Sequence, residues 1–157
     1  MVARAYDSQL AEIKRESYKG VGAISRVAKL GEFTLTKEQA RSTPLLFVVE
    51  VREHGALADR TFYWMNFETV QGCLFRLPRT ELAMQAKKGT LVVTNQGKLP
   101  AVAVNVNLPG HADTFLASDN FFWLDPGESR TVEVNNTGGA TVEAWNAEAV
   151  SIKSATK

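Results

Sequence analysis

SDNFFWLDPGESRTVEV, residues Ser118–Val134, packs an aromatic strand, a Pro-Gly reversal and an alternating strand into one continuous stretch. Pro126 presets φ at the second position of a turn opened by Asp125, and Gly127 supplies the positive φ that the third position of a type II turn requires. The chain therefore reverses between Asp125 and Glu128. On either side, Phe121–Leu124 and Thr131–Val134 are β-formers with period-two side chains, so the stretch reads as two antiparallel strands at the corner of a β-sandwich. It contains no catalytic constellation.

Outward from this corner, strand signals dominate. Downstream of Pro78 the expected strands are Glu81–Ala86, Thr90–Thr94, Val102–Leu108, Phe121–Leu124, Thr131–Val134 and Thr141–Trp145. In AVAVNVNLPG, Val102, Val104, Val106 and Leu108 fall on one face while Ala101, Ala103, Asn105 and Asn107 fall on the other, the pattern of a strand with one buried and one wet face. Asn95-Gln96-Gly97, Pro109-Gly110 and Gly138-Gly139 punctuate these runs as reversals. Upstream, Val2–Asp7, Glu12–Lys19, Ala23–Leu30, Leu45–Arg52 and Leu57–Met65 are separated by Gly20, Gly22, Gly31, Pro44 and Gly55, with His54-Gly55 marking a hairpin. Thr36-Lys37-Glu38-Gln39 has capping-box spacing and predicts one helical turn within Leu35–Arg41. Asn66–Thr80 reads as a connector. The expected organisation is all-β, with a first module over 1–78 including that connector, a second over 79–152, and a tail at 153–157.

Composition narrows the function. The chain has 157 residues, 45% of them hydrophobic and 22% charged, enough to bury one core or two small ones. Its 18 basic and 17 acidic residues leave a net charge of +1 with no block of either sign, which gives no footprint for nucleic acid or an anionic membrane. The start, MVARAYDSQL, has no apolar h-region, and no window approaches the ~20 apolar residues of a membrane span. These features lead us to expect a soluble protein with no visible export signal, the cytoplasm favoured. Cys73, the only cysteine, reads as a small buried thiol. Asn135-Asn136-Thr137 matches a short glycosylation acceptor that matters only in a secreted protein.

No site for chemistry emerges. His54 and His111 each sit beside a glycine in a turn without partners at ligand spacing, so we expect no metal site and no cofactor. Nucleophile elbows, phosphate-cradling loops and zinc-binding helices are missing from the pattern, and no catalytic residue is assigned. A pair of carboxylates held ~5–10 Å apart by distant strands would not show in sequence. The aromatics are more informative. On the strand containing them, Phe121 and Trp123 point one way and Phe122 and Leu124 the other, so both faces are apolar. One face is core; the other is a sugar-stacking platform, an interface with another domain, or a face covered by a loop. Trp64, Phe122 and Trp123 are the candidate sugar or interface contacts.

The string FxxSDNFFWLDPGESRTVEV from Phe115, followed by EAWN at Glu143–Asn146, resembles the C-terminal immunoglobulin-like domain of glycoside hydrolase family 2 enzymes of the β-mannosidase and exo-β-D-glucosaminidase branch. LVVTNQGKLPAVAVNV resembles the opening strands of that domain, and LLFVVEVREHGALADRTFYWM at Leu45–Met65 resembles the end of the immunoglobulin-like domain before it. The resemblance implies immunoglobulin-like β-sandwiches, the first lacking its opening strands because Val2–Asp7 resembles a middle strand. It also implies that the catalytic glutamates lie on a TIM barrel outside this chain. Asp119, Asn120, Pro126, Gly127, Trp145 and Asn146 map to framework positions, and no catalytic residue maps here. The expected partners are a catalytic barrel or a second copy of the chain, with weak oligosaccharide binding as a further reading.

Overall fold

The computed structural model describes residues 1–20, 27, 29–66, 72–111 and 113–152. The chain divides into two compact units, Met1–Cys73 and Leu74–Lys157. Among the described residues there are eleven β-strands and no α-helix. The expectation of an all-β architecture is met.

In the first unit, β1 (Val2–Tyr6), β2 (Glu12–Ser17), β3 (Leu45–Glu53) and β4 (Ala56–Met65) form one antiparallel sheet in the order β2-β1-β3-β4. The β3–β4 hairpin closes on His54-Gly55, both at positive φ (49° and 87°), the geometry of a two-residue type I′ turn. Between β2 and β3, the Thr36 hydroxyl accepts from the Gln39 amide at 3.2 Å while the Gln39 carboxamide accepts from the Thr36 amide at 3.0 Å. This reciprocal box opens the helical turn expected within Leu35–Arg41, which is of 3₁₀ type over Gln39–Arg41. The expected strand Ala23–Leu30 falls mostly outside the described residues.

The second unit is a sandwich. β5 (Leu82–Lys87), β6 (Thr90–Asn95) and β9 (Ser129–Glu133) form one sheet; β7 (Ala101–Asn107), β8 (Phe122–Leu124), β10 (Thr141–Ala144) and β11 (Ala147–Ser151) form the other, in the order β11-β10-β7-β8. The chain crosses between sheets after β6, β8 and β9, as immunoglobulin-like sandwiches do. Leu91, Val93 and Val132 from one sheet meet Val104, Val106, Phe122, Leu124 and Val142 from the other in a single buried cluster. Burying each such side chain contributes about 1.5–3 kcal/mol, and with one cysteine in the sequence no disulfide assists.

Two details of the sequence reading change. The strands flanking Pro126-Gly127 are not paired with each other: β8 pairs with β7 and β9 with β6, so the turn carries the chain between sheets. The alternation along β7 breaks at Ala103, whose φ is 53°, and the β7–β8 register shifts between Ala101 and Val104. This bulge puts Ala101 into the core together with Val104 and Val106 and takes Val102 out of phase with them.

Candidate functional site

β8 decides where the aromatics go. Phe121 adopts a positive φ of 56° and stands outside the strand, 61% exposed. Phe122 and Trp123 are buried, at 5% and 1% exposure. The Phe122 ring joins the core with the Arg130 guanidinium 5.0 Å above it, and Trp123 Nε1 donates to Asp125 Oδ1 at 2.8 Å. Neither ring presents a face to solvent, which corrects the reading of these two as sugar-stacking groups. Trp64 on β4 is 38% exposed, its ring tilted against Phe62 at 5.9 Å.

The framework candidates hold the corner and the sheet ends. Gly127 has a φ of 75°, as a type II turn requires, and the turn is tied down by Asp125 N–H donating to Glu128 Oε2 at 2.9 Å. Asp119 pairs with Arg130. Asn120 imitates a strand neighbour: its Oδ1 accepts from Val106 N–H at 2.6 Å and its Nδ2 donates to Val106 O at 3.0 Å. Trp145 N–H donates to Val102 O at 3.0 Å, and the fully buried Asn146 accepts from Val102 N–H at 2.9 Å. Asn146 also donates to Pro78 O at 3.0 Å and Pro100 O at 2.9 Å.

A charge network invisible in the sequence lies on the β1–β3–β4 sheet. Residues facing one side in register, Arg4, Glu50 and Arg60, converge: Glu50 Oε1 accepts from Arg4 Nη2 at 2.5 Å and Arg60 Nη2 at 2.9 Å. Its Oε2 accepts from Arg52 Nη2 at 2.9 Å. Both oxygens therefore accept from guanidinium donors, which hold the buried Glu50 as a counter-ion within the sheet. Nearby, the hydrogen bond from Arg15 holds the Glu12 carboxyl below its ordinary range, opposed by partial burial. This network stabilises a sheet face; it is not the spaced carboxylate pair of a glycosidase.

The second unit also carries a cavity of about 300 Å³ on the outer face of β7 and β10. Phe75, Phe121 and Trp145 supply aromatic walls, Ala103 a small floor, and Asn105 and Glu143 polar atoms. Glu143 Oε1 accepts from Asn105 Nδ2 at 3.3 Å and Asn107 Nδ2 at 3.4 Å. The wet face of β7 was readable from the alternation of Asn105 and Asn107. The aromatic walls were not, because Phe75 lies in a segment read as a connector and Phe121 in one read as a strand.

A family model described as Ig_mannosidase, Ig-fold domain, matches residues 77–155, just over half of the chain. The chain belongs to this mannosidase Ig-fold family. The resemblance read from Phe115–Val134 and Glu143–Asn146 is thereby borne out. Among solved structures, the Amycolatopsis orientalis exo-chitosanase CsxA superposes with a TM-score of 0.72 at 17% identity, over 98% of this chain. A structure of the exo-β-D-glucosaminidase CsxA, from work on its inhibition by a glucosamine-configured castanospermine, superposes with a TM-score of 0.73 at 17% identity, also over 98% of this chain. At such identity the likeness is one of fold. The chain spans 23% of the length of either structure. No curated protein matches the chain. Residues 77–155 of this member of the mannosidase Ig-fold family are thus an Ig-fold domain, and among the described residues no helix is long and apolar enough to cross a membrane.

Proposed function

We propose that this chain is the noncatalytic β-sandwich region of a family 2 exo-glycosidase of the β-mannosidase or exo-β-D-glucosaminidase type, supporting a catalytic barrel. The observation that carries this reading is the mannosidase Ig-fold match over 77–155. The state of the acidic groups supports it: the buried Glu50 is saturated by arginines, and Asp119 is held by Arg130. Hydrolysis of a glycoside needs two carboxyl groups flanking one bond, an acid and a nucleophile or base. With Glu50 and Asp119 tied to arginines, neither is set up as the acid or nucleophile of a glycosidase, and the chain's natural partner is the barrel that holds the reacting pair.

The test is direct. Purified chain incubated with nitrophenyl β-mannoside and nitrophenyl β-glucosaminide is expected to release no nitrophenol above the buffer rate. Turnover that disappears in a Glu50→Gln or Asp119→Asn variant would overturn the proposal, because it would place the chemistry inside the sandwich.

A further inference from the structure

We propose that the pocket on the outer face of β7 and β10 binds a pyranose ring bearing a protonated amine, one unit of an amino-sugar oligosaccharide. Three observations converge on it. The first is its lining: Phe75 and Phe121 are exposed, and with Trp145 they offer three rings to a space of about 300 Å³, the small end of ligand-binding cavities. Aromatic side chains left in water lose the burial that normally stabilises them, and the apolar CH face of a sugar ring restores it.

The second is the polar edge. Glu143 is exposed at the pocket wall, and both of its bonds from Asn105 and Asn107 go to the same oxygen. Among the described residues nothing donates to Oε2. Among the described residues, no lysine or arginine lines the cavity to neutralise the carboxylate. A carboxylate fixed by two amides, with one oxygen open beside aromatic faces, favours a cation: an ammonium gains a charge-assisted hydrogen bond and cation–π attraction together. An acidic sugar is repelled, and a neutral sugar keeps only the stacking.

The third is backbone strain. Ala103 and Phe121 both line this pocket, and both are non-glycine residues in the left-handed region, at φ values of 53° and 56°. Each such residue costs roughly 1–2 kcal/mol against its relaxed conformation. At Ala103 the bulge opens the floor, and at Phe121 the turn swings the ring out of the strand and into the wall. Strain of this kind collects where a surface is shaped for a ligand. A lysine ammonium from a protein would satisfy the charge, but a slender chain leaves the broad exposed faces of Phe75 and Phe121 uncovered, so a cyclic ligand fits better.

The proposal goes beyond the accessory role and draws on it only for the choice of probes. The chain is titrated, with tryptophan fluorescence and calorimetry as readouts, against a β-1,4-linked glucosamine tetramer, its N-acetylated counterpart, cellotetraose and a lysine tetrapeptide. We expect the glucosamine tetramer to bind about tenfold or more tightly than the other three, the worth of one charged hydrogen bond. Glu143→Gln should bring it level with cellotetraose, and Phe75→Ala should weaken both sugars. Both positions are exposed, so an unchanged circular dichroism spectrum and melting temperature establish that the variants are folded. No binding of the glucosamine tetramer, equal binding of the acetylated tetramer or the lysine peptide, or indifference to Glu143→Gln would overturn the proposal. None of these outcomes touches the hydrolysis assay, which tests the accessory reading separately.

Discussion

At the scale of single residues, three carboxamides do work that backbone amides do elsewhere in a sandwich. Asn120 pairs with Val106 as a strand would. Asn95, fully buried, donates to Leu99 O at 2.8 Å and Leu124 O at 3.1 Å while accepting from Thr80 and Gly97. Asn146 joins β7 to the Pro78 and Pro100 carbonyls, the second of which immediately precedes β7. Backbone carbonyls removed from solvent and outside a ladder need a donor, and Asn146 supplies it to both prolines. Asn146→Ala leaves a buried N–H and two buried carbonyls without this partner, and we expect a loss of about 3 kcal/mol in urea unfolding of the second unit. Asn146→Asp should be no better than alanine: a carboxylate accepts from Val102 N–H, but it sets oxygen against the two carbonyl oxygens. A loss below about 1 kcal/mol for either variant would show that water or a neighbour replaces the amide.

At the scale of elements, the β3–β4 hairpin shows what local chemistry decides. His54 and Gly55 both take positive φ, and only the second residue is suited to it. His54→Asn gives the Asn-Gly pair that a type I′ turn prefers, and we expect hydrogen exchange of the β3–β4 amides to slow by an amount equivalent to about 0.5–1 kcal/mol. His54→Val, β-branched at the same φ, should accelerate that exchange; no difference between the two would mean that the turn does not limit hairpin opening. This hairpin was legible because its turn residues and its period-two flanks state the same geometry. β11 was not: Ala147–Ser151 holds one β-branched residue in five, and its strand conformation comes from pairing with β10. The bulge at Ala103 was hidden for another reason. A run of alanine and valine fits either parity, and the register shift is set by β8 across the sheet, beyond any local window. Phe121, at a positive φ just before β8, had no local turn signal either, which is why the aromatic pocket was not legible while the Pro126-Gly127 turn was.

At the scale of the whole molecule, the two units solve burial differently. The second closes two sheets over a core, whereas the described residues of the first contain a single four-stranded sheet. On one face of that sheet, Met65 sits opposite Leu45 and Tyr63 opposite Phe47, with Val51 further along β3. Tyr63, Met65 and Val51 are exposed, and β4 is an edge strand ten residues long. Long apolar edges invite pairing with another chain, and natural sheets blunt them with charges, which β4 carries only at Asp59 and Arg60. We therefore expect the isolated chain to self-associate through this sheet at micromolar concentration. Sedimentation velocity should show an average mass that rises with concentration, and the double substitution Tyr63→Lys, Met65→Lys should return it to that of one chain. Both side chains are already in water, so the substitutions add charge to the contact surface without emptying a core. A monomer at every concentration would mean that the apolar stripe is covered within the chain itself, and an association untouched by the two lysines would move the contact away from β4.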